Sequence, residues 1–211
     1  MTISASYGAG GSVVGPAVAE RLGLRFFDRA IPAAVARDLS VSLEQARQRD
    51  DRLPGLFARA LANLARTVPE FGDPLASPMA GVADDDAFRK QTEAVLREIA
   101  SGSGGVVLGR AAAVVLADTA GALHVRLSGP KEARIARVLA QRGGTRDEVE
   151  RELEQSDRAR TEYVKHFYRR DPRDPALYHL TIDASAFPVA TVVDLIVAAA
   201  RARDDGAGEN P

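Results

Sequence analysis

Residues 1–12, MTISASYGAGGS, decide the fold of this chain. Residues 1–6 are β-prone, and the glycine-rich segment that follows leads into an apolar periodicity typical of a helix, from Val13 to Leu22. Where a strand, a glycine loop and a helix meet, backbone N–H groups can converge on one anion, and the helix N-terminus adds partial positive charge. The stretch therefore predicts a phosphate-binding loop; the alternative is a flexible turn.

The loop departs from the Walker A pattern G-x-x-x-x-G-K-[ST] at two of the fixed positions. Gly10 and Ser12 match the second glycine and the hydroxyl, whereas Ala5 replaces the first glycine and Gly11 replaces the lysine. The glycines at 8, 10 and 11 still allow positive φ angles and a close approach of phosphate. The position of the loop between strand and helix therefore indicates phosphate binding more strongly than the motif does.

The composition of the chain excludes several classes of function. The chain has 211 residues, a formal net charge of −1 and no cysteine. The lack of cysteine excludes a thiolate nucleophile and a cysteine-ligated metal, and the balanced charge argues against general nucleic-acid binding. No apolar run is long enough to span a bilayer, and no signal-peptide pattern is present. We expect a cytoplasmic protein with neither membrane nor nucleic-acid partners.

Alternating strand and helix patterns predict an α/β fold with about five parallel strands and helices on both faces of the sheet. The length suits one domain, residues 1–203, followed by a disordered tail over 204–211. Residues 40–83 change in character and predict an inserted helical lobe. The strands after the first are predicted at 25–27, 106–108, 123–127 and 178–182.

Charged residues follow two of these strands, at the edge where open α/β sheets bind ligands. Asp28 and Arg29 follow the second strand, and Arg110 follows the third. They are candidates for substrate binding. Asp28 has an equally good alternative interpretation as the N-cap of the next helix.

The segment 131–170 is rich in arginine. Arg134 and Arg137 are three residues apart on one helix, and Thr145 with Glu148 predicts a capping box at the start of a second, long helix. Residues 154–162 of that helix are polar all round and are predicted to lie outside the core. We expect the segment to form a lid over polyphosphate, or else a salt-bridged surface. Its clustered arginines are Arg134, Arg137, Arg142, Arg158 and Arg160.

Four blocks of the chain, taken in order, resemble cytidylate kinases and, more closely, their cytidylate-kinase-like relatives. They are residues 6–12, 27–29, 107–110, and the lid pattern Arg134-x-x-Arg137 with Asp157-x-x-Arg160, followed by the closing residues 182–185. The resemblance implies a P-loop nucleoside-monophosphate-kinase fold, which has a core, a helical monophosphate-binding lobe and an arginine-rich lid.

The resemblance also implies the reaction and the roles of the residues. ATP would give its γ-phosphoryl group to a nucleoside monophosphate such as CMP or dCMP, with Mg²⁺. Arg110 would bind the acceptor phosphate, and Asp157 would orient the lid arginines. Arg134, Arg137 and Arg160 would neutralise charge on the transferred group, and the Ser12 hydroxyl would bind the metal. The donor phosphates would contact Tyr7, Gly8, Ala9, Gly10, Gly11 and Ser12.

Three departures from the cytidylate-kinase pattern keep other functions open. Gly11 stands where the lysine would be, Ala111 stands where an Asp would follow Gly-Arg, and the strand at 106–108 carries no carboxylate. The loss of one preorganised charge donor typically raises a barrier by roughly 2.7–4 kcal/mol. The alternatives are a non-catalytic nucleotide- or phosphate-binding regulatory protein and a kinase of another small metabolite.

Overall fold

The computed structural model describes residues 1–28, 85–109 and 111–207. The predicted lobe at 40–83, Arg29 and Arg110 lie outside the described residues. The described strands are β1 (Thr2–Ala5), β2 (Phe26–Phe27), β3 (Val106–Leu108), β4 (His124–Ser128) and β5 (Leu180–Asp183). The described helices are α1 (Gly11–Leu22), α2 (Asp85–Ser101), α3 (Ala112–Val115), α4 (Lys131–Arg142), α5 (Arg146–Tyr168) and α6 (Val189–Ala207), with a 3₁₀ turn at Pro175–Leu177.

The described strands form one parallel sheet in the order β2-β3-β1-β4-β5. This confirms the predicted five-stranded parallel sheet. β1 is the central strand: Ile3 pairs with Leu108 on one side and with Val125 on the other. Because all strands run in the same direction, the loops that follow β1, β4 and β5 meet at one edge.

Helices cover both faces of the sheet, as predicted. Val106 packs into the cluster formed with α1 and α6, whereas its neighbour Val107 packs into a second cluster with Leu96 of α2 and Ala112 of α3. Successive residues of a strand point to opposite faces, so β3 is buried on both sides. The described part of the chain has no helix both long enough and apolar enough to cross a membrane.

Two local predictions were wrong. Helix α6 continues to Ala207, so residues 204–207 are helical and do not belong to a tail. The middle of α5 is also packed, because Ser156 and Ala159 are buried in line with Leu153. Small residues at that spacing allow close packing of a helix face that carries little hydrophobicity.

Candidate functional site

The loop between β1 and α1 has the backbone geometry of an anion-binding turn. Gly8 and Gly10 have φ angles of 74° and 84°, in the left-handed region that favours glycine. The Gly10 carbonyl accepts from the amides of Val13 and Val14 at 3.1 and 2.9 Å, which starts α1. No side chain caps this helix, and the first amides of a helix have no intrahelical acceptor. The N–H groups of the first turn are therefore suited to binding an anion.

Gly11 and Ala5 are in steric contact. A Cβ atom added to Gly11 would lie 2.5 Å from the Ala5 Cβ and 3.1 Å from Leu108 Cδ1. Both distances are too short for an unshifted structure, so no larger residue fits at position 11 while Ala5 is present. The two departures from the Walker A pattern are thus physically coupled.

Asp157 of α5 joins the loop to two arginines. Its Oδ1 accepts from the Tyr7 amide at 2.9 Å, and its carboxylate pairs with Arg134 at 2.6 Å and with Arg160 at 3.4 Å. Arg134 also donates to the carbonyls of Tyr7 and Gly129, at 2.9 and 3.0 Å. The main chain of the loop is therefore held at both its amide and its carbonyl by the helix pair α4–α5 (residues 131–168).

Arg137 lies against the other end of the loop. Its Nη1 would be 3.1 Å from a Cβ atom placed on Gly10, and its Nη2 donates to the Ala184 carbonyl at 2.5 Å. A Cβ atom on Gly8 would in turn lie 2.8 Å from the Arg134 carbonyl. Helix α4 therefore packs directly on the loop, with no space for a side chain at Gly8 and little at Gly10.

Tyr7 inserts its ring between the helices of the α4–α5 pair. The ring packs against a buried cluster whose members are Ile135, Val138, Val149 and Leu153. The hydroxyl donates to Glu152 at 2.9 Å. Burial, together with this bond to a carboxylate, raises the pKa of Tyr7 to about 12. Sequence analysis assigned Tyr7 only to phosphate binding and missed this packing. The signal in the sequence was an aromatic residue within a glycine-rich loop.

Arg160 lies near two other arginines as well as its partner Asp157. Burial lowers the pKa of Arg160, the Asp157 carboxylate opposes this effect, and the charges of Arg126 and Arg134 lower it further. Arg126 of β4 is fixed by a 2.5 Å bond to the Pro172 carbonyl and lies 5.6 Å from the centre of the Tyr178 ring. Sequence analysis missed Arg126; the signal was a cationic residue within a mostly buried strand. The cluster favours binding of a multiply charged anion.

The remaining predicted residues do not all reach this cluster. Arg158 was predicted to join it, but it is exposed and pairs with Glu162 at 2.7 Å; Arg142 pairs with Glu152 instead. Both are corrections. Residue 158 faces away from the side of α5 that carries 153, 156 and 160, and Arg142, the last residue of α4, is taken up by Glu152. Asp28 directly follows β2, the edge strand of the sheet.

The loop and its arginines match a phosphate group better than a metal ion. Among the described residues, no group of three or more His, Asp or Glu could hold a metal. Ser12 is exposed in the first turn of α1 and offers one hydroxyl. Mg²⁺ usually keeps several waters and is bound largely by substrate phosphates, so one protein hydroxyl is compatible with it.

A family model described as the cytidylate kinase-like family matches residues 1–186. The chain belongs to this family. A curated relative named uronate isomerase, from Corynebacterium glutamicum, is 31% identical over 115 residues. The match covers 54% of this chain and 22% of that protein, so the chain spans only about a fifth of the length of this relative.

Two solved structures share the α/β fold of this cytidylate kinase-like chain. An uncharacterized protein from Eubacterium ventriosum superposes with a TM-score of 0.68 at 18% identity, covering 95% of this chain and 97% of that one. A gluconokinase from Sinorhizobium meliloti superposes with a TM-score of 0.54 at 18% identity, covering 100% and 96%. At such identities the similarity concerns the fold alone.

Proposed function

We propose that the protein transfers the γ-phosphoryl group of ATP to a nucleoside monophosphate, with CMP and dCMP as acceptors and Mg²⁺ as the accompanying ion. The observation that carries the proposal is the contact of Asp157 with the Tyr7 amide, Arg134 and Arg160. An anionic oxygen already lies where a loop amide and two guanidinium groups meet. In the proposal, Asp157 keeps these bonds, and the N–H groups of Arg134 and Arg160 that are not already bonded would bind phosphate oxygens.

The reaction requires positioning and positive charge. An oxygen of the acceptor phosphate bonds to the γ-phosphorus while the bond from that phosphorus to the β–γ bridging oxygen breaks, giving ADP and a nucleoside diphosphate. The attacking oxygen carries no proton at neutral pH, so no general base is needed. In the proposal, the loop residues 7–12 hold the donor phosphates, and Asp28, Arg29 and Arg110 hold the acceptor. Mg²⁺, held by Ser12 and phosphate oxygens, would neutralise charge on the transferred group.

The lid arginines supply the remaining charge in this proposal. Arg134 and Arg160 would stabilise the equatorial oxygens of the transferred group, and Asp157 would keep both guanidinium groups in place. Fixed, partly buried cations are effective here because they need no reorganisation as the reaction proceeds.

A second acceptor class, a sugar acid with a free hydroxyl, is favoured by two observations. The relative named uronate isomerase contains a segment similar to this chain, and Ala111 replaces the Asp expected to help in recognising a nucleoside monophosphate. In that case the acceptor hydroxyl would lose its proton to a base during transfer.

An acceptor screen tests the proposal. The purified chain, with ATP and Mg²⁺, is assayed for ADP in the presence of CMP, dCMP, UMP, AMP, gluconate or glucuronate, and products are identified by mass spectrometry. We expect ADP formation that depends on CMP or dCMP. Turnover with a sugar acid alone would support the second class. ATP-dependent thermal stabilisation without any turnover would contradict both and indicate a non-catalytic nucleotide-binding protein.

A further inference from the structure

We propose that Arg137 is the resident cation of the phosphate loop and replaces the lysine that the Walker A pattern places at position 11. The ligand it would bind is the polyphosphate chain of a nucleoside triphosphate. The catalytic consequence rests on the proposed function, whereas the anion-binding part can be tested without it.

Position 11 cannot supply the cation itself. Any side chain there begins with a Cβ atom 2.5 Å from the Ala5 Cβ, well inside van der Waals contact. A lysine at 11 would have to displace the end of β1, which is the central strand of the sheet. The loop therefore needs its positive charge from another part of the chain.

Arg134 and Arg160 are less suited to this role, because both pair with a carboxylate. Arg134 uses Nε and Nη1 on the carbonyls of Gly129 and Tyr7 and on Asp157. Arg160 pairs with the same Asp157. Much of their charge is thus compensated before any ligand binds.

Arg137 differs from both. It is anchored through the neutral Ala184 carbonyl, and its other terminal nitrogen lies against Gly10. Among the described residues it forms no ion pair within 4.0 Å. Its charge still reaches the nearby Asp183, whose pKa is lowered chiefly by hydrogen bonds from Ser185 and slightly by Arg137. A guanidinium group fixed by a neutral acceptor keeps most of its charge available for an incoming anion.

The anchor also determines where the charge lies. Gly10 ends the loop after β1 and Ala184 follows β5, and Arg137 lies between them. Both positions are at the carboxyl edge of the sheet, where ligands bind in this class of fold. Arg137 is therefore fixed beside the loop before a ligand arrives, as a lysine within the loop would be.

A matched pair of variants separates charge from structure. Arg137→Lys and Arg137→Gln both keep a hydrogen-bond donor on a shorter side chain, but only the first keeps the charge. Binding of inorganic tripolyphosphate and of ATP to the full chain is measured by isothermal titration calorimetry at several salt concentrations. We expect Arg137→Gln to weaken tripolyphosphate binding about tenfold or more and to flatten its salt dependence, and Arg137→Lys to stay within about threefold of the unaltered protein. Arg158→Gln, an exposed arginine of the same helix pair, should bind as the unaltered protein does.

A rescue experiment tests the replacement directly. The double variant Ala5→Gly/Gly11→Lys removes the closest contact, that with the Ala5 Cβ, and restores the Walker A residues, so that only the flexible end of Leu108 has to shift. In the Arg137→Gln background it should recover most of the lost tripolyphosphate affinity, whereas Gly11→Lys without Ala5→Gly should not. Equal binding by Arg137→Lys and Arg137→Gln, or no recovery by a folded triple variant, would overturn the inference. If no acceptor supports turnover but binding follows the charge at 137, the proposed function fails and this inference stands.

Discussion

The Asp157 carboxylate accepts a hydrogen bond from the Tyr7 amide at 2.9 Å across 150 residues of sequence. The same carboxylate pairs with Arg134, whose guanidinium group donates to the Tyr7 carbonyl. The Tyr7 amide, Asp157, Arg134 and the Tyr7 carbonyl are thus joined in a closed ring of charge-assisted hydrogen bonds. Bonds of this kind are shorter and stronger than neutral ones, so the loop conformation depends on α5 although the two are distant in sequence.

Removal of the Asp157 carboxylate should loosen this ring. Asp157→Ala leaves the largely buried Arg134 guanidinium without its carboxylate, and we expect the free energy of unfolding to fall by about 2 kcal/mol. Urea denaturation followed by circular dichroism measures the change. If the proposed function holds, kcat should fall more than KM rises, because the lid arginines act mainly on the transferred group.

The matched control is Glu162→Gln. Its partner Arg158 is exposed and belongs to the same helix, and surface ion pairs typically contribute under about 1 kcal/mol. If Glu162→Gln lost as much stability as Asp157→Ala, the hydrogen bonds around Tyr7 would contribute no more than an exposed ion pair.

The Ala5–Gly11 contact predicts coupled substitutions. Gly11→Ala alone should destabilise the protein by about 1–3 kcal/mol, because its Cβ cannot avoid the Ala5 Cβ. Ala5→Gly alone should cost about 0.5–1 kcal/mol through added flexibility of the strand. Together the two substitutions should cost less than their sum. A double-mutant cycle in urea measures the coupling, and strict additivity would contradict the contact.

Tyr7 should act through its ring more than through its hydroxyl. Tyr7→Phe removes one hydrogen bond to Glu152 and should cost about 1 kcal/mol or less, because Arg142 still pairs with that carboxylate. Tyr7→Ala removes the ring that packs against the cluster between α4 and α5 and should lower the free energy of unfolding by about 3 kcal/mol. Thermal denaturation distinguishes them, and equal losses would contradict the importance of ring packing.

Stability should decline as the pH falls from 6.5 to about 4. Burial, followed by the charge of His179, lowers the pKa of His124 from 6.5 to about 4. In this window the unfolded chain binds more protons than the folded one, so the free energy of unfolding is fully retained above pH 6.5 and decreases below it. His179, whose ring lies 4.9 Å away, has a pKa lowered mainly by burial and acts with the same sign.

The variant His124→Asn cannot titrate and should show a flatter dependence of melting temperature on pH between about 4 and 6.5. The carboxylates of Asp171 and Asp183 have pKa values lowered from 3.8 by hydrogen bonds. Their contribution is present above 3.8 and is lost below it, outside this window. An unchanged slope in His124→Asn would assign the effect to other groups.

Local patterns were enough to predict the strand, loop and helix of residues 1–22, the parallel sheet and the capping box at Thr145. Each depends on periodicity or on residues close in sequence. The close contact between Ala5 and Gly11 could not be predicted, because it depends on how near two segments of the chain come to each other. Such a distance leaves no periodic pattern in the sequence. The burial of Ser156 was missed for a related reason: small residues let helices approach, although hydropathy alone does not reveal it.

Tyr7 is held by the α4–α5 pair through its amide, its carbonyl and its hydroxyl. The two helices are in turn joined to each other by Lys131, which binds both Glu150 and Glu154. The loop and both helices are therefore connected through one residue, Tyr7. If the proposed function holds, we expect a bound nucleotide to leave faster from variants that lack one of these three bonds.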